Sequence, residues 1–152
     1  MPNFRCLGFL DTFDAVAQLH RLQSGRADTF LLDESWRSGR SLVARARKLI
    51  PRGEELRITA EVQRRAPGGP SAWSIADGGF FEFRIPLVTN PGVVEHRGPE
   101  SVSMGIGSLW WCNGETWRCE TNWGQHPSYH MVIHAEPPAA DLPVGAIVDT
   151  VG

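Results

Sequence analysis

His126, His130 and His134 recur every four residues in the stretch LWWCNGETWRCETNWGQHPSYHMVIH, residues 109–134, which also holds Cys112 and Cys119. On a helix that interval stacks three imidazoles on one face, a ligand set for a metal-dependent enzyme. Pro127, and the alternation of Tyr129, Met131 and Ile133 with His130, Val132 and His134, argue instead for a strand. There only His130 and His134 share a face, and His126 or Cys119 joins them only if the chain bends at Pro127. The expectation is therefore structural or solvent-facing histidines, with no metal and no cofactor. The C-x6-C spacing of Cys112 and Cys119 is not a zinc pattern, and the chain has no G-x-S-x-G elbow, no phosphate-cradling glycine loop with its lysine, and no H-E-x-x-H.

Four of the six tryptophans, Trp110, Trp111, Trp117 and Trp123, fall in the same stretch. An indole suits a core, an aromatic ligand platform, or the boundary between water and lipid. Asn113-Gly114 between residues of high strand propensity predicts a hairpin through a type I′ turn. Its register sets Trp110 opposite Trp117 as a cross-strand aromatic pair and turns Trp111 to the other face, so Trp110 and Trp111 are not both buried. It also staggers Cys112 and Cys119, which predicts that they are unbridged.

Positioning such groups requires a scaffold, and the composition describes one. A chain of 152 residues suffices for one domain, 1–152, with a core that needs no staples. Three cysteines, an odd number, argue for free thiols in a reducing compartment. A formal net charge of −2 with interspersed signs gives no support to nucleic-acid binding. The basic clusters Arg45, Arg47, Lys48 and Arg64-Arg65 read as a solvated strand edge or loop. No apolar run approaches the roughly 20 residues that span a bilayer, and the start, MPNFRCLGFLDTF, is a poor signal peptide. The expectation is a soluble protein, cytoplasmic or released by a non-classical route.

Gly and Pro punctuate short apolar runs throughout, at Pro51 to Gly53, Pro67 to Pro70, Gly78-Gly79, Pro91-Gly92, Gly98-Pro99 and Pro137-Pro138. Leu56, Ile58, Ala60 and Val62 alternate with polar residues, as do Phe81, Phe83 and Ile85. This is the pattern of an all-β fold, a single-domain antiparallel β-sandwich. Residues 12–23 read equally as a helix capped by Asp11, with Phe13, Val16, Ala17 and His20 along one stripe, or as a first strand from about Ala15 to Leu22.

The runs FLLDESWRSGR, LIPRGEELRITAE, SIADGGFFEFRI and TNPGVV, with Gly39-Arg40, Ile50-Pro51 and Gly53, Ile58, Ala60-Glu61 and Asn90-Pro91 as the matching steps, resemble the aegerolysins. These, with the related small components of binary insecticidal toxins, share the actinoporin-like β-sandwich, and YHMVIHAEPPAADLPVGAIVDT is similar to their closing strands. The resemblance covers about residues 28 to 150. It implies a module without enzymatic activity of its own that recognises a membrane lipid, often a sphingolipid, alone or with a larger pore-forming partner. On that reading Trp110, Trp111, Trp117, Trp123 and Tyr129 supply rings to the lipid interface, and Arg118 or His126 contacts the headgroup. The alternatives are a metal-dependent enzyme built on His126, His130 and His134, or a β-sandwich that binds a protein or a glycan.

Overall fold

The computed structural model describes residues 2–22, 29–31, 36–75 and 81–136. The Gly78-Gly79 and Pro137-Pro138 turn signals, and the end of the closing segment beyond Glu136, lie outside the described residues.

Ten strands and two α-helices make up these residues: β1 (Phe4–Phe9), α1 (Phe13–Leu22), β2 (Thr29–Leu31), α2 (Arg37–Leu49), β3 (Arg57–Arg65), β4 (Gly69–Pro70), β5 (Phe81–Val88), β6 (Val93–Arg97), β7 (Glu100–Val102), β8 (Ser108–Cys112), β9 (Arg118–Asn122) and β10 (Ser128–Glu136). They form a six-stranded antiparallel sheet of order β1-β8-β5-β10-β3-β2 and a four-stranded sheet of order β4-β9-β6-β7. The chain steps from one sheet to the other between β3 and β4, β4 and β5, β5 and β6, β7 and β8, β8 and β9, and β9 and β10. That winding is of the jelly-roll kind.

The expected alternation holds on three strands. Val62 of β3, Phe81, Phe83, Ile85 and Leu87 of β5, and Tyr129, Met131 and Ile133 of β10 all enter one apolar core, with Ile58 and Ala60 packed against it. The helices close that core, through Ala15 and Leu19 of α1 and Leu42 and Ala46 of α2. The large sheet thus has one apolar face under the helices and one face turned to the small sheet.

Of residues 12–23, Phe13–Leu22 form a helix, with Asp11 Oδ1 accepting the Phe13 N–H at 2.9 Å. Its buried stripe is Thr12, Ala15 and Leu19, while Phe13 and His20 face outward. The second helix contains Gly39-Arg40, one of the steps on which the resemblance rested. It has no side-chain cap and no acid in its first turn; its buried stripe is Gly39, Leu42 and Ala46, and a Cβ at Gly39 would stand 2.8 Å from the Trp36 ring. Arg45, Arg47 and Lys48 sit on this helix rather than on a strand edge. Arg45 Nη1 donates to the Asp11 carbonyl at 2.8 Å, and Arg47 Nη1 to the carbonyls of Gly53 and Leu56 at 3.3 and 3.1 Å.

The hairpin at Asn113-Gly114 does not form. Both edges of β8 are already taken, by β1 and β5, and β9 pairs with β4 and β6 in the other sheet. Neither Asn113 nor Gly114 takes the positive φ of a type I′ turn. Asn113 is instead held by Asn3, which accepts its N–H and its Nδ2–H, both at 2.9 Å, while its own Oδ1 accepts the Glu115 N–H at 3.0 Å. The segment crosses between sheets. Trp110 and Trp117 are accordingly not paired: Trp110 packs edge-on against Phe4, ring centroids 6.5 Å apart. Cys112 and Cys119 are separate buried thiols in different sheets.

Candidate functional site

Between the sheets the side chains are charged. On β5 the residues that alternate with the core phenylalanines are Glu82 and Arg84; on β6 they are Glu95 and Arg97; on β9 they are Arg118 and Glu120. Each strand carries one acid and one base two residues apart, which a pleat places on one face. The register of the small sheet then sets Glu95 opposite Glu120 and Arg97 opposite Arg118. Like charges directly opposite are destabilising, and the opposing sheet supplies the counter-charges.

Arg84 is the centre of the arrangement. Its Nε lies 3.0 Å from Glu82 Oε2, its Nη1 2.8 Å from Glu95 Oε1, and its Nη2 2.6 Å from Glu120 Oε1. Nη2 also donates to Gln63 Oε1 at 3.3 Å, and Nη1 lies 3.5 Å from His130 Nδ1. Glu82 in turn is bound by Arg97 Nη2 and, at 2.7 Å, by Arg118 Nη1, and Arg97 Nη1 donates to the Asn113 carbonyl at 3.0 Å. Glu120 Oε2 accepts from Arg65 Nε at 3.1 Å. Both Glu95 oxygens, Arg97 Nε and His130 Nε2 have no hydrogen-bond partner in acceptable geometry.

Burial and charge set the protonation states. Burial alone would raise the Glu82 carboxyl, but Arg84, Arg97 and Arg118 together hold it far below the usual carboxylate range. Glu120 is likewise pushed up by burial and brought below its ordinary value by Arg84, His130 and Arg65. Glu95 goes the other way: burial, which Arg84 and Arg97 do not offset, carries it up to about 8. Burial and the neighbouring Arg84 lower His130 to about 4, so at neutral pH its imidazole is uncharged. Burial raises the Cys112 thiol well above its usual value, leaving it protonated.

At the edge of this network a polar pocket of about 200 Å³ opens between the sheets. Gln63, Arg65, Arg84, Arg118, Cys119 and Glu120 line it, with Ser71, Ala72 and Ser74 of the segment that follows β4. The backbone of that segment pairs with β9, through Ser71 N–H to the Glu120 carbonyl at 2.7 Å and a two-way exchange between Ser74 and Arg118. Arg65 and Arg118 each keep about a third of the side chain exposed, 33% and 29%.

The structure scatters the residues singled out in the sequence. Trp111, 2% exposed, and Tyr129 belong to the apolar core under the helices. Trp110 is half-buried, its Nε1 donating to Ser108 Oγ at 2.8 Å. Trp117 and Trp123 are 55% and 68% exposed. Arg118 is turned inward to Glu82, and exposed His126 offers its carbonyl to Asn90 and Asn122. The three histidines do not converge: His130 lies in the inter-sheet network, His134 lies 3.4 Å from Glu61 on β3, and His126 is in the loop before β10. Among the described residues, no group of three or more His, Cys, Asp or Glu is placed to hold a metal ion. The site that does form was signalled by the E-x-R, E-x-R and R-x-E triplets at Glu82-Phe83-Arg84, Glu95-His96-Arg97 and Arg118-Cys119-Glu120, which sequence reasoning passed over.

No family model matches the sequence, and no curated protein matches it. Solved structures do. The viral collagen prolyl hydroxylase of Paramecium bursaria Chlorella virus-1, solved as a 2OG complex, superposes with a TM-score of 0.68 over 91% of this chain and 97% of that one, at 9% identity. A prolyl-4-hydroxylase of Pseudomonas putida gives 0.66 over 90% and 94%, at 11% identity. The chain has the fold of these prolyl hydroxylases. The resemblance to aegerolysins is thereby corrected, and with it the lipid-recognising, cytolytic reading. The strand-and-turn rhythm common to antiparallel double sheets had matched, whereas the superposition over nine-tenths of the chain is with the hydroxylases. Among the described residues no helix is long and apolar enough to cross a membrane.

Proposed function

We propose that this chain binds a small carboxylate-bearing molecule in the inter-sheet pocket, and that the positive charge at the centre of the site is the Arg84 guanidinium rather than a metal ion. A non-haem iron centre of the oxygenase kind takes two histidines and one carboxylate with open positions. Here one histidine, His130, is buried in the network, and Glu82, Glu95 and Glu120 all converge on Arg84. These residues do not fit such a centre.

The observation that carries the reading is the placement of Arg65 and Arg118. Each gives one contact to an interior carboxylate and remains partly exposed on the pocket wall, beside Ser71 and Ser74. Guanidinium forks match planar carboxylates in two-point contacts, the strong form of charge-assisted hydrogen bond. The network counts four arginines, Arg65, Arg84, Arg97 and Arg118, against three glutamates, so it carries excess positive charge for an anion to neutralise. At roughly 30 Å³ per water, a pocket of about 200 Å³ has room for a molecule the size of a dicarboxylate. The viral hydroxylase of the same fold was solved with 2OG, a molecule of that class, which supports the choice.

The test is a thermal-shift panel of 2-oxoglutarate, succinate, acetate and inorganic phosphate on chelator-treated protein. Stabilisation by one or more of the carboxylates, lost in the Arg65→Met and Arg118→Met double variant, is expected. No response to any carboxylate would overturn the reading.

A further inference from the structure

The small sheet sets Glu95 directly opposite Glu120 across β6 and β9, and both carboxyls lie on the one Arg84 guanidinium, at 2.8 and 2.6 Å. Two carboxylates that share one enclosed site disfavour full ionisation, and a single proton held on the pair relieves their repulsion. The same proton accounts for Glu95 standing buried with neither oxygen taking a donor, although Arg84 Nη1 is only 2.8 Å away. Glu120, the other half of the pair, is a wall of the pocket.

We infer that the pocket takes its anion together with a proton held on the Glu95–Glu120 pair, so that affinity for the anion falls as pH rises. The inference rests on the anion-binding reading above. The charged and titratable groups around the pair are Glu82 and Arg84 from β5, Arg97 from β6, Cys112 from β8, Arg118 from β9, His130 from β10 and Arg65 from β3. With the pair protonated, the four arginines face two negative charges; with the proton gone, they face three. An incoming carboxylate and the ionised Glu95 therefore compete for the same excess of positive charge. His130 is already neutral and Cys112 stays a thiol through the neutral range, so neither masks the competition. By linkage the effect is reciprocal: the bound anion holds the proton more tightly, and binding near the pair's own titration takes up a proton from buffer. For one coupled proton the dissociation constant rises at most tenfold per pH unit above that titration, about a factor of ten for each 1.4 kcal/mol.

The experiment is calorimetric titration of the chelator-treated full chain with 2-oxoglutarate from about pH 6.5 to about pH 9.5, in buffers of differing ionisation enthalpy. The expected result is a dissociation constant that rises at least tenfold across the range, with close to one proton taken up per ligand at the alkaline end. In Glu95→Gln, which keeps the shape and removes the titration, the constant should stay flat. Tight binding that is equally flat in the unaltered protein would overturn the coupling and leave the anion site standing. No binding at any pH would overturn both. Should Glu95→Gln fail to fold, the infrared carbonyl band of a protonated carboxyl decides the matter in the unaltered protein: present at neutral pH and lost on alkaline titration if the inference is right, absent throughout if it is wrong.

Discussion

Replacing Arg84 by methionine removes the one group that three buried carboxylates share, at nearly constant length. In the native protein the guanidinium lies 3.0, 2.8 and 2.6 Å from Glu82, Glu95 and Glu120 and is almost wholly enclosed. Taking away one partner of a buried ion pair costs about 3–5 kcal/mol, because the survivor is left charged and desolvated. Glu82 retains Arg97 and Arg118, and Glu120 retains Arg65, so a loss of about 4 kcal/mol near pH 7.5 is expected, a large part of the roughly 5–15 kcal/mol that holds a typical domain together. The pH dependence is the sharper signature. In Arg84→Met the stranded carboxyls rise above their unfolded values, so the folded state binds protons more tightly and acid stabilises it, by up to about 1.4 kcal/mol per pH unit for each group. Urea unfolding at pH 7.5 and pH 5.5 should therefore show the penalty shrinking on acidification, and adding Glu82→Gln and Glu120→Gln should recover most of it. A loss under about 1 kcal/mol, or a penalty unchanged between the two pH values, would refute the account of Arg84 as the network's central cation.

In the unaltered protein the acid limb runs the other way. Glu82 and Glu120 titrate below their unfolded values, so stability is lost as pH falls through the ordinary carboxylate range; from pH 6.5 down to 4.5 the loss from His130, lowered from 6.5 to about 4, is opposed by the gain from Glu95, raised from 4.5 to about 8, so His130→Gln should make stability rise on acidification over that window in thermal melts. Trp111→Ala should cost about 3–5 kcal/mol, whereas Trp117→Ala, on an exposed ring, should change stability by less than about 1 kcal/mol, as read by denaturant midpoints. Gly69, at φ +99° with the Trp123 ring 2.9 Å from where a Cβ would stand, should not accept alanine without losing about 1–3 kcal/mol in the same assay.

Alternation made β3, β5 and β10 legible because each has one face in an apolar core, and that contrast survives in the order of residue types. The second helix was not legible: it starts at Trp36 without a capping side chain, and its outer face is so rich in arginine that its three small or apolar inward residues, Gly39, Leu42 and Ala46, make a faint stripe. Asn113-Gly114 misled because local turn chemistry was set against strand pairing, and the pairing of β8 with β1 and β5 had already used both of its edges. The inter-sheet site escaped because charged residues on strands were read as solvent-facing. In a sandwich that holds for one face only, and the triplets of opposite charge two apart on β5, β6 and β9 are what a buried, mutually neutralising face looks like in one dimension. The histidines drew attention by spacing, yet His130 serves the network as a neutral ring beside Arg84.

The most direct test of a guanidinium-centred anion site is to titrate 2-oxoglutarate calorimetrically into protein stripped by chelator, then to repeat it with ferrous or manganous ion added anaerobically. The account predicts one site per chain in the stripped protein, an affinity indifferent to added metal, and loss of at least tenfold in the Arg65→Met and Arg118→Met double variant, equivalent to about 1.4 kcal/mol. Binding that appears only when the metal is present, or that survives removal of both arginines undiminished, would contradict it.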